Sequence, residues 1–129
     1  MSLELKLLVW SVALAFAQCL VAVVGALLQV GLPTLAGNRE GMPAITGWAG
    51  RAERAHRNML QSLVLFTALV LAAQVTNKLD ATTALGAQLF FWGRLAYAAV
   101  YLIGLPWIRT LVWLVAVVGM VLIFIRVLS

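Results

Sequence analysis

Four long stretches of the chain carry almost no charge, and this pattern limits the possible folds more than any other feature. Residues 7–38, 59–77 and 110–125 have no charged side chain, and residues 81–108 have only Arg94. An apolar stretch of about 20 residues can cross a bilayer as a helix. With 64% apolar and 10% charged residues, a chain of 129 residues cannot hide its apolar surface from water. The sequence therefore predicts an integral membrane protein.

The breaks between these stretches define the expected helices. They predict one domain, residues 1–129, with transmembrane helices over residues 6–32, 51–76, 82–103 and 106–127. Pro33 ends the first helix, and a long polar connection follows over residues 33–50. Two shorter breaks, Asn77–Asp80 and Gly104–Pro106, predict tight turns, because Gly and Pro interrupt helices and Pro suits a helix's first turn. The expected fold class is an all-α membrane protein, a four-transmembrane-helix bundle.

Several functional classes are excluded by the residue types present. The single cysteine, Cys19, lies in an apolar run, and no His/Cys cluster has the spacing of metal ligands, so no metal site is expected. No arrangement of Ser, His and Asp, no pair of carboxylates and no Gly-rich phosphate loop is visible. The net charge of +5 indicates membrane orientation or an anionic ligand, and we expect no nucleic-acid partner.

Polar side chains share single faces on two of the expected helices. These faces carry Arg54, Asn58 and Gln61 on the second helix and Arg94, Tyr97 and Tyr101 on the third. Arg51 and Arg57 flank the first face, and Arg109 and Thr110 lie near the start of the fourth helix. Charge inside a membrane costs free energy, so it points to a function by default. Arginine also binds carboxylates through two hydrogen bonds and stays charged when buried.

Simpler roles remain open for these residues. Arg51, Arg57 and Arg109 are also typical of interfacial side chains that reach toward lipid headgroups. Arg94 is equally compatible with a tie between helices, and the two tyrosines with packing. His56 lies on the opposite side of the second helix from Arg54, which favours a structural or subunit-contact role.

The distribution of Lys and Arg predicts the orientation. One side of the membrane holds five of these residues, Arg39, Arg51, Arg54, Arg57 and Arg109; the other holds three, Lys6, Lys78 and Arg126. Cytoplasmic loops carry the excess of positive charge. We expect the arginine-rich side to face the cytoplasm, with both termini outside, in an integral multi-pass membrane protein.

The motifs on these helices resemble those of one family. The segment Glu53-Arg54-Ala55-His56-Arg57-Asn58 resembles the E-R-A-x-x-N signature of the MAPEG proteins, membrane-associated proteins in eicosanoid and glutathione metabolism. The Gly93-Arg94 pair, followed by Tyr97 and Tyr101, is similar to their helix-three motif. Arg109-Thr110 is similar to their catalytic Arg-Ser/Ala dipeptide. The likeness covers essentially the whole chain and is to a short bacterial-type member, which implies the bacterial inner membrane.

The resemblance implies a homotrimer with an inner ring of helices, surrounded by membrane lipids. Glutathione would bind between neighbouring subunits. The binding residues would be Arg54, Arg57, Asn58, Gln61, Arg94, Tyr97 and Tyr101. Arg109 would stabilise the glutathione thiolate, with Thr110 as a hydroxyl helper. The implied activity is a glutathione S-transferase or peroxidase that acts on apolar small-molecule electrophiles or lipid hydroperoxides.

Three positions differ from the resembled pattern. Gln61 stands where the family usually has a Glu that meets the glutathione amino group, and Met59 replaces an Asp. The segment Gln29-Val30-Gly31 stands where better-studied members carry an Arg. An alternative function is therefore a non-catalytic trimer that binds a lipid or another anion. A small transporter or channel is a third class. Proton-coupled exporters of four helices need a carboxylate within the membrane, and no expected helix carries one at mid-depth.

Overall fold

The computed structural model describes residues 1–129, and its secondary structure is entirely helical. The helices are α1 (Leu3–Val30), α2 (Leu32–Ala36), α3 (Gly47–Val75), α4 (Ala81–Ile103) and α5 (Pro106–Leu128). The all-helical class is thus confirmed. By length and apolar composition, α1, α3 and α5 can each cross a membrane, which supports an integral membrane protein. The helix α4 is not among these three, so the fourth span stays a prediction.

The chain between α3, α4 and α5 folds as its local chemistry dictates. The Asp80 side chain accepts hydrogen bonds from the backbone N–H groups of Thr82 and Thr83, and the Thr83 hydroxyl accepts one from the Asp80 N–H. This capping box begins α4. Gly104 ends α4 in the left-handed conformation (φ 93°, ψ 34°), and Pro106 begins α5. A left-handed cap favours glycine because it has no Cβ.

The first connection differs from its prediction. It is not one polar turn over residues 33–50, because α2 occupies its beginning and α3 starts at Gly47, four residues earlier than expected. Gly31, at φ +82°, ends α1 and redirects the chain. Pro33 therefore lies in the first turn of α2, where its missing N–H costs nothing, and does not itself end α1. The Gln29 side chain fastens the far end of the connection through two hydrogen bonds to the Thr46 backbone, of 2.7 and 3.0 Å.

Small residues bring the helices close together. The most extensive contacts are between α4 and α5, followed by those between α1 and α3. A Cβ on Gly86 would lie 2.5 Å from the Gly119 carbonyl oxygen, and one on Gly93 would lie 3.0 Å from the Ala116 nitrogen. Close approach through small residues is how helices associate where lipid provides no hydrophobic drive. The α4–α5 pair is therefore packed backbone to backbone at two levels.

The core between the helix pairs is aromatic and aliphatic. The rings of Phe66 on α3 and Phe90 on α4 stack with centroids 4.0 Å apart, and both side chains are fully buried. Buried Leu8 and Ala15 add the contribution of α1. Many other large apolar side chains are exposed on the outside of the bundle, as expected of a surface that faces lipid or another subunit.

The bundle has two chemically different ends, which we name for reference. The paired end holds Glu4, Lys78, Asp80, Thr83 and Arg126, near both termini and the α3–α4 turn. The arginine end holds Arg51, Arg54, Arg57 and Arg109, near the N-terminal ends of α3 and α5. Arg94 lies nearer the C-terminal end of α4, on the same side as this second group.

Candidate functional site

Arg94 lies inside the bundle and links α4 to α3. Its side chain is 1% exposed, and its Nη1 donates a hydrogen bond of 2.8 Å to Asn58 Oδ1. The guanidinium also lies over the Tyr97 ring, 4.2 Å from the centroid. Its Nε and Nη2 atoms are buried without a hydrogen-bond partner. A buried cation with so few partners costs stability, so its retention is consistent with a functional role.

A second contact joins the other expected polar residues. Arg54 Nε on α3 donates a hydrogen bond of 3.2 Å to the Tyr101 hydroxyl on α4. The guanidinium of Arg109 on α5 lies over the same Tyr101 ring, 4.7 Å from its centroid. The Tyr97 and Tyr101 rings contact each other, with centroids 5.5 Å apart. Side chains of α3, α4 and α5 therefore meet at this tyrosine pair, which contacts three guanidinium groups.

A polar pocket opens beside this cluster. Its volume is about 270 Å³, and its lining residues are Asn58, Tyr97, Arg109, Thr110 and Trp113. The Arg109 side chain is half-buried and makes no hydrogen bond within the chain. No carboxylate lines the pocket. An anion in this space would meet a guanidinium, an amide and hydroxyl groups, which are donors that suit a carboxylate or a thiolate.

The remaining expected site residues lie in different surroundings. Arg94 is behind the pocket and not on its lining, so within one chain it holds Asn58 and Tyr97 in place. Arg57 is exposed and forms a 2.8 Å ion pair with Glu53 one turn earlier. Gln61 is exposed and makes no side-chain hydrogen bond within the chain. The Thr110 hydroxyl donates to the Pro106 carbonyl at 3.2 Å.

Two further residues of this region are not among the binding residues that the sequence predicts. Trp113 lines the pocket, and its position one turn after Arg109 was the available signal. Arg51 Nε donates a hydrogen bond of 3.0 Å to the Leu102 carbonyl, next to the Gly104 cap. This contact ties α3 to the turn before α5. Sequence alone could not reveal it, because the acceptor is a backbone atom 51 residues away.

The site carries an excess of positive charge. Arg51, Arg54, Arg94 and Arg109 form no ion pair, and the one nearby ion pair is that of Arg57 with Glu53. Neighbouring guanidinium groups without a carboxylate repel each other, and an anionic ligand or lipid headgroup relieves this repulsion. The arrangement is therefore suited to binding an anion near the membrane surface.

Comparison with known proteins identifies a family for this chain. The sequence model of the MAPEG family matches residues 7–129, nearly the whole chain. No curated protein and no solved structure gives a significant match.

Proposed function

Because the chain belongs to the MAPEG family, we propose that it is a membrane-bound, glutathione-dependent transferase or peroxidase. Family membership supports a membrane glutathione-related transferase, peroxidase or related role. The finer proposal is that glutathione is the thiol substrate and that an apolar electrophile or a lipid hydroperoxide is the second substrate. One observation carries it: the Arg109 guanidinium has no hydrogen-bond partner and lines a polar pocket without carboxylates.

The proposed role of Arg109 is to stabilise the thiolate. A free thiol has a pKa of about 8.5, and an adjacent guanidinium lowers this pKa, so that a larger fraction of the thiol is ionised at neutral pH. The thiolate then attacks an electrophilic carbon and a leaving group departs with the electron pair. Thr110 adds a hydroxyl beside Arg109. Asn58 and Tyr97 offer hydrogen bonds to the thiol carrier, and Arg94 keeps both in place.

The carboxylates of glutathione explain the other arginines. Arg54 and Arg57 lie three residues apart on α3, and both are exposed at the arginine end. Each can donate two parallel hydrogen bonds to a carboxylate. Tyr101 holds Arg54 at 3.2 Å, which restricts the side chain before a ligand arrives. Gln61 extends the same face of α3 and can meet the ligand's amino group only as a neutral amide.

The pocket needs a second subunit to close it. One side is open, and MAPEG proteins are generally trimeric. We therefore propose a homotrimer with sites between subunits and an inner ring of helices, four spanning helices in each subunit. Native mass spectrometry in detergent should show three copies. A monomer that persists with bound lipid would contradict this part of the proposal.

The orientation remains the one expected from the charges. We propose that the arginine end faces the cytoplasm, where thiol substrates are found, and that both termini face outward. A cysteine at position 45, in a variant without Cys19, should be protected from an impermeant maleimide added to intact cells. Ready labelling from outside would reverse the topology.

The activity is tested by thiol conjugation in nanodiscs. Purified protein should accelerate the reaction of glutathione with 1-chloro-2,4-dinitrobenzene, and should consume glutathione when given a lipid hydroperoxide. The matched control is Lys6→Ala, which removes one exposed positive charge that forms no hydrogen bond, at the opposite end of the bundle. Loss of activity in Arg109→Ala but not in Lys6→Ala is the expected pattern. Rates equal to the uncatalysed reaction would remove the enzymatic proposal.

A second candidate function is a non-catalytic trimer that binds a lipid or another anion. It is favoured by Gln61, which offers no charge for an ammonium group, and by Gln29, whose amide is already bonded to Thr46. Binding of an anionic lipid that competes with glutathione, without any conjugation, is the outcome that this candidate predicts.

A further inference from the structure

The turn between α4 and α5 contains a backbone carbonyl that the local backbone cannot satisfy. In a continuous helix the Leu102 carbonyl would accept a hydrogen bond from the N–H four residues later, but that residue is Pro106, which has no N–H. The N–H groups of Gly104 and Leu105 both donate to the Val100 carbonyl, at 2.9 and 3.3 Å. No backbone N–H therefore reaches the Leu102 carbonyl.

Arg51 of α3 supplies the missing donor. Its Nε donates a hydrogen bond of 3.0 Å to the Leu102 carbonyl, and its side chain lies against Gly104, where a Cβ would be 3.5 Å from that Nε. A cationic side chain beside the last carbonyls of a helix also interacts favourably with the helix dipole. No other helix donates a side-chain hydrogen bond to residues 102–106. This one hydrogen bond therefore attaches the turn to α3.

A second arginine of α3 holds the preceding residue of α4. Arg54, three residues after Arg51, donates a hydrogen bond of 3.2 Å to the Tyr101 hydroxyl. The guanidinium of Arg109 lies over the Tyr101 ring, and the Arg109 backbone lies in the first turn of α5, directly after the turn that Arg51 holds. Both the backbone and the guanidinium of Arg109 therefore rest on parts of the chain that α3 fixes in place.

We propose that Arg51 is a positioning residue: by holding the α4–α5 turn against α3, it keeps the Arg109 guanidinium over Tyr101 and at the polar pocket. Arg51 does not line this pocket, so it acts through the placement of Arg109 and not through contact with a ligand. The donated hydrogen bond, and not the positive charge of Arg51, is then what the site needs. The consequence for the reaction rests on the proposed function, in which Arg109 stabilises the thiolate. A displaced guanidinium loses that interaction, because charge interactions weaken with distance and hydration.

The experiment separates the hydrogen bond from the charge, using the full-length protein in nanodiscs. In Arg51→Gln, the amide nitrogen is as many bonds from the backbone as the Nε of arginine, so a donor is kept and the charge is removed. Arg51→Met has a similar length and no donor. Arg51→Ala is a second donor-free variant, so that the comparison does not depend on the folding of one protein. Lys6→Met is the matched control, which removes an exposed charge at the paired end.

The first measurement needs no thiol. Phenylglyoxal modifies arginine side chains, and peptide mass spectrometry at a low extent of modification gives the rate at Arg109. Arg109 is half-buried over Tyr101, so its modification should be severalfold faster in the two donor-free variants. The rate in Arg51→Gln and in Lys6→Met should equal that of the unaltered chain. Unchanged rates in the donor-free variants, or an equal increase in Arg51→Gln, would overturn the proposal.

The second measurement concerns the reaction with glutathione. In the donor-free variants the pKa of the bound thiol should rise by about half a unit to one unit, which is about three- to tenfold in ionisation constant, and kcat should fall by a similar factor at nearly constant KM. Arg51→Gln should restore both quantities. An unchanged thiol pKa, or a rise in KM alone, would overturn the proposal. If the unaltered protein does not conjugate glutathione, the proposed function fails, and the modification of Arg109 still decides the role of Arg51.

Discussion

The two ends of the bundle treat their charged side chains in opposite ways. At the paired end, Glu4 accepts a 2.7 Å hydrogen bond from Thr83, and Asp80 is paired with Arg126. At the arginine end, Arg94 has two buried nitrogens without partners, and Arg109 makes no side-chain hydrogen bond. Paired polar groups stabilise a fold, and unpaired ones destabilise it. The difference teaches that paired contacts stabilise one end, and it supports the proposal that the other end binds an anion.

The paired end also connects the chain termini to the α3–α4 turn. Lys78 Nζ donates hydrogen bonds to the Val127 and Ser129 carbonyls, at 3.0 and 3.1 Å. The hydrogen bond from Arg126, helped by the backbone N–H of Thr83, holds the pKa of the Asp80 carboxyl below its usual value. Each carboxylate here contacts an element distant in sequence, so these contacts fix the relative positions of α1, α4 and α5.

The largest expected effect comes from removing the free guanidinium of the arginine end. In Arg109→Ala, the pKa of the bound thiol should rise by about one to two units, which is about 10- to 100-fold in ionisation constant. Turnover should fall by a similar factor while glutathione affinity changes little, because the charge interaction forms only with the thiolate. Ultraviolet absorbance of the thiolate against pH measures the first effect. An unchanged thiolate spectrum would show that Arg109 does not contact the sulfur.

The next effect tests the stabilising role of the paired end. Thr83→Val keeps the side-chain shape but removes two hydrogen bonds, the one donated to Glu4 and the one accepted from the Asp80 N–H, and leaves a buried carboxylate without its partner. The free energy of unfolding should fall by about 1–3 kcal/mol, measured by denaturant titration in mixed micelles. Thr82→Val is the matched control, since that side chain is exposed and makes no hydrogen bond. Equal loss in both variants would mean that the hydrogen bonds of the Thr83 hydroxyl contribute nothing to stability.

A smaller effect is expected from Gln61→Glu, which replaces a neutral amide with a carboxylate of nearly the same shape. Gln61→Glu should tighten glutathione binding up to about fivefold, the range of an exposed ion pair of roughly 0.2–1 kcal/mol. Isothermal titration with glutathione, and with an analogue lacking the amino group, isolates the contribution of the ammonium. The gain should vanish with the analogue. An equal gain with both ligands would argue against an ammonium near this position.

The smallest effect concerns acid. Because the pKa of Asp80 is lowered in the folded protein from 3.8, its stabilising contribution is complete above that value and is lost as the pH falls through the folded pKa. Stability should therefore decrease below about pH 4, and Asp80→Asn should reduce this pH dependence. Thermal unfolding at several pH values measures it. An identical acid response in the variant would assign the effect to other carboxylates.

Sequence reasoning succeeded where the signals are local. The long helices begin and end within a few residues of their expected bounds, because Asp80, Gly104 and Pro106 act on their immediate neighbours. It failed at α2, because the backbone conformation of Gly31 decides whether Pro33 ends one helix or starts another. The sequence also predicts α4 as a transmembrane helix. With its small and polar residues and Arg94, α4 is less apolar than the three helices that can each cross a membrane.

The candidate site was only partly accessible from the sequence. Helical periodicity placed Arg94 and Asn58 on faces that the structure joins by a hydrogen bond, and Arg54 reaches Tyr101 in the same way. Periodicity could not show that Arg94 lies behind the pocket, or that Trp113 lines it. Those facts depend on helix rotation and depth, which are set by packing across elements distant in sequence. The roles of all these residues in binding and catalysis stay predictions.

The glycine contacts between α4 and α5 have a mechanical consequence. Backbones that touch at Gly86 and Gly119 cannot approach further, so we expect α4 and α5 to move together as one rigid pair. The polar pocket lies between the α4–α5 pair and α3, and α3 contributes Asn58 to its lining. The hydrogen bond from Arg94 to Asn58 joins the α4–α5 pair to α3 beside the pocket. A tilt of the α4–α5 pair about the paired end would change the width of the pocket. The packing between α4 and α5, and that between α1 and α3, would stay the same.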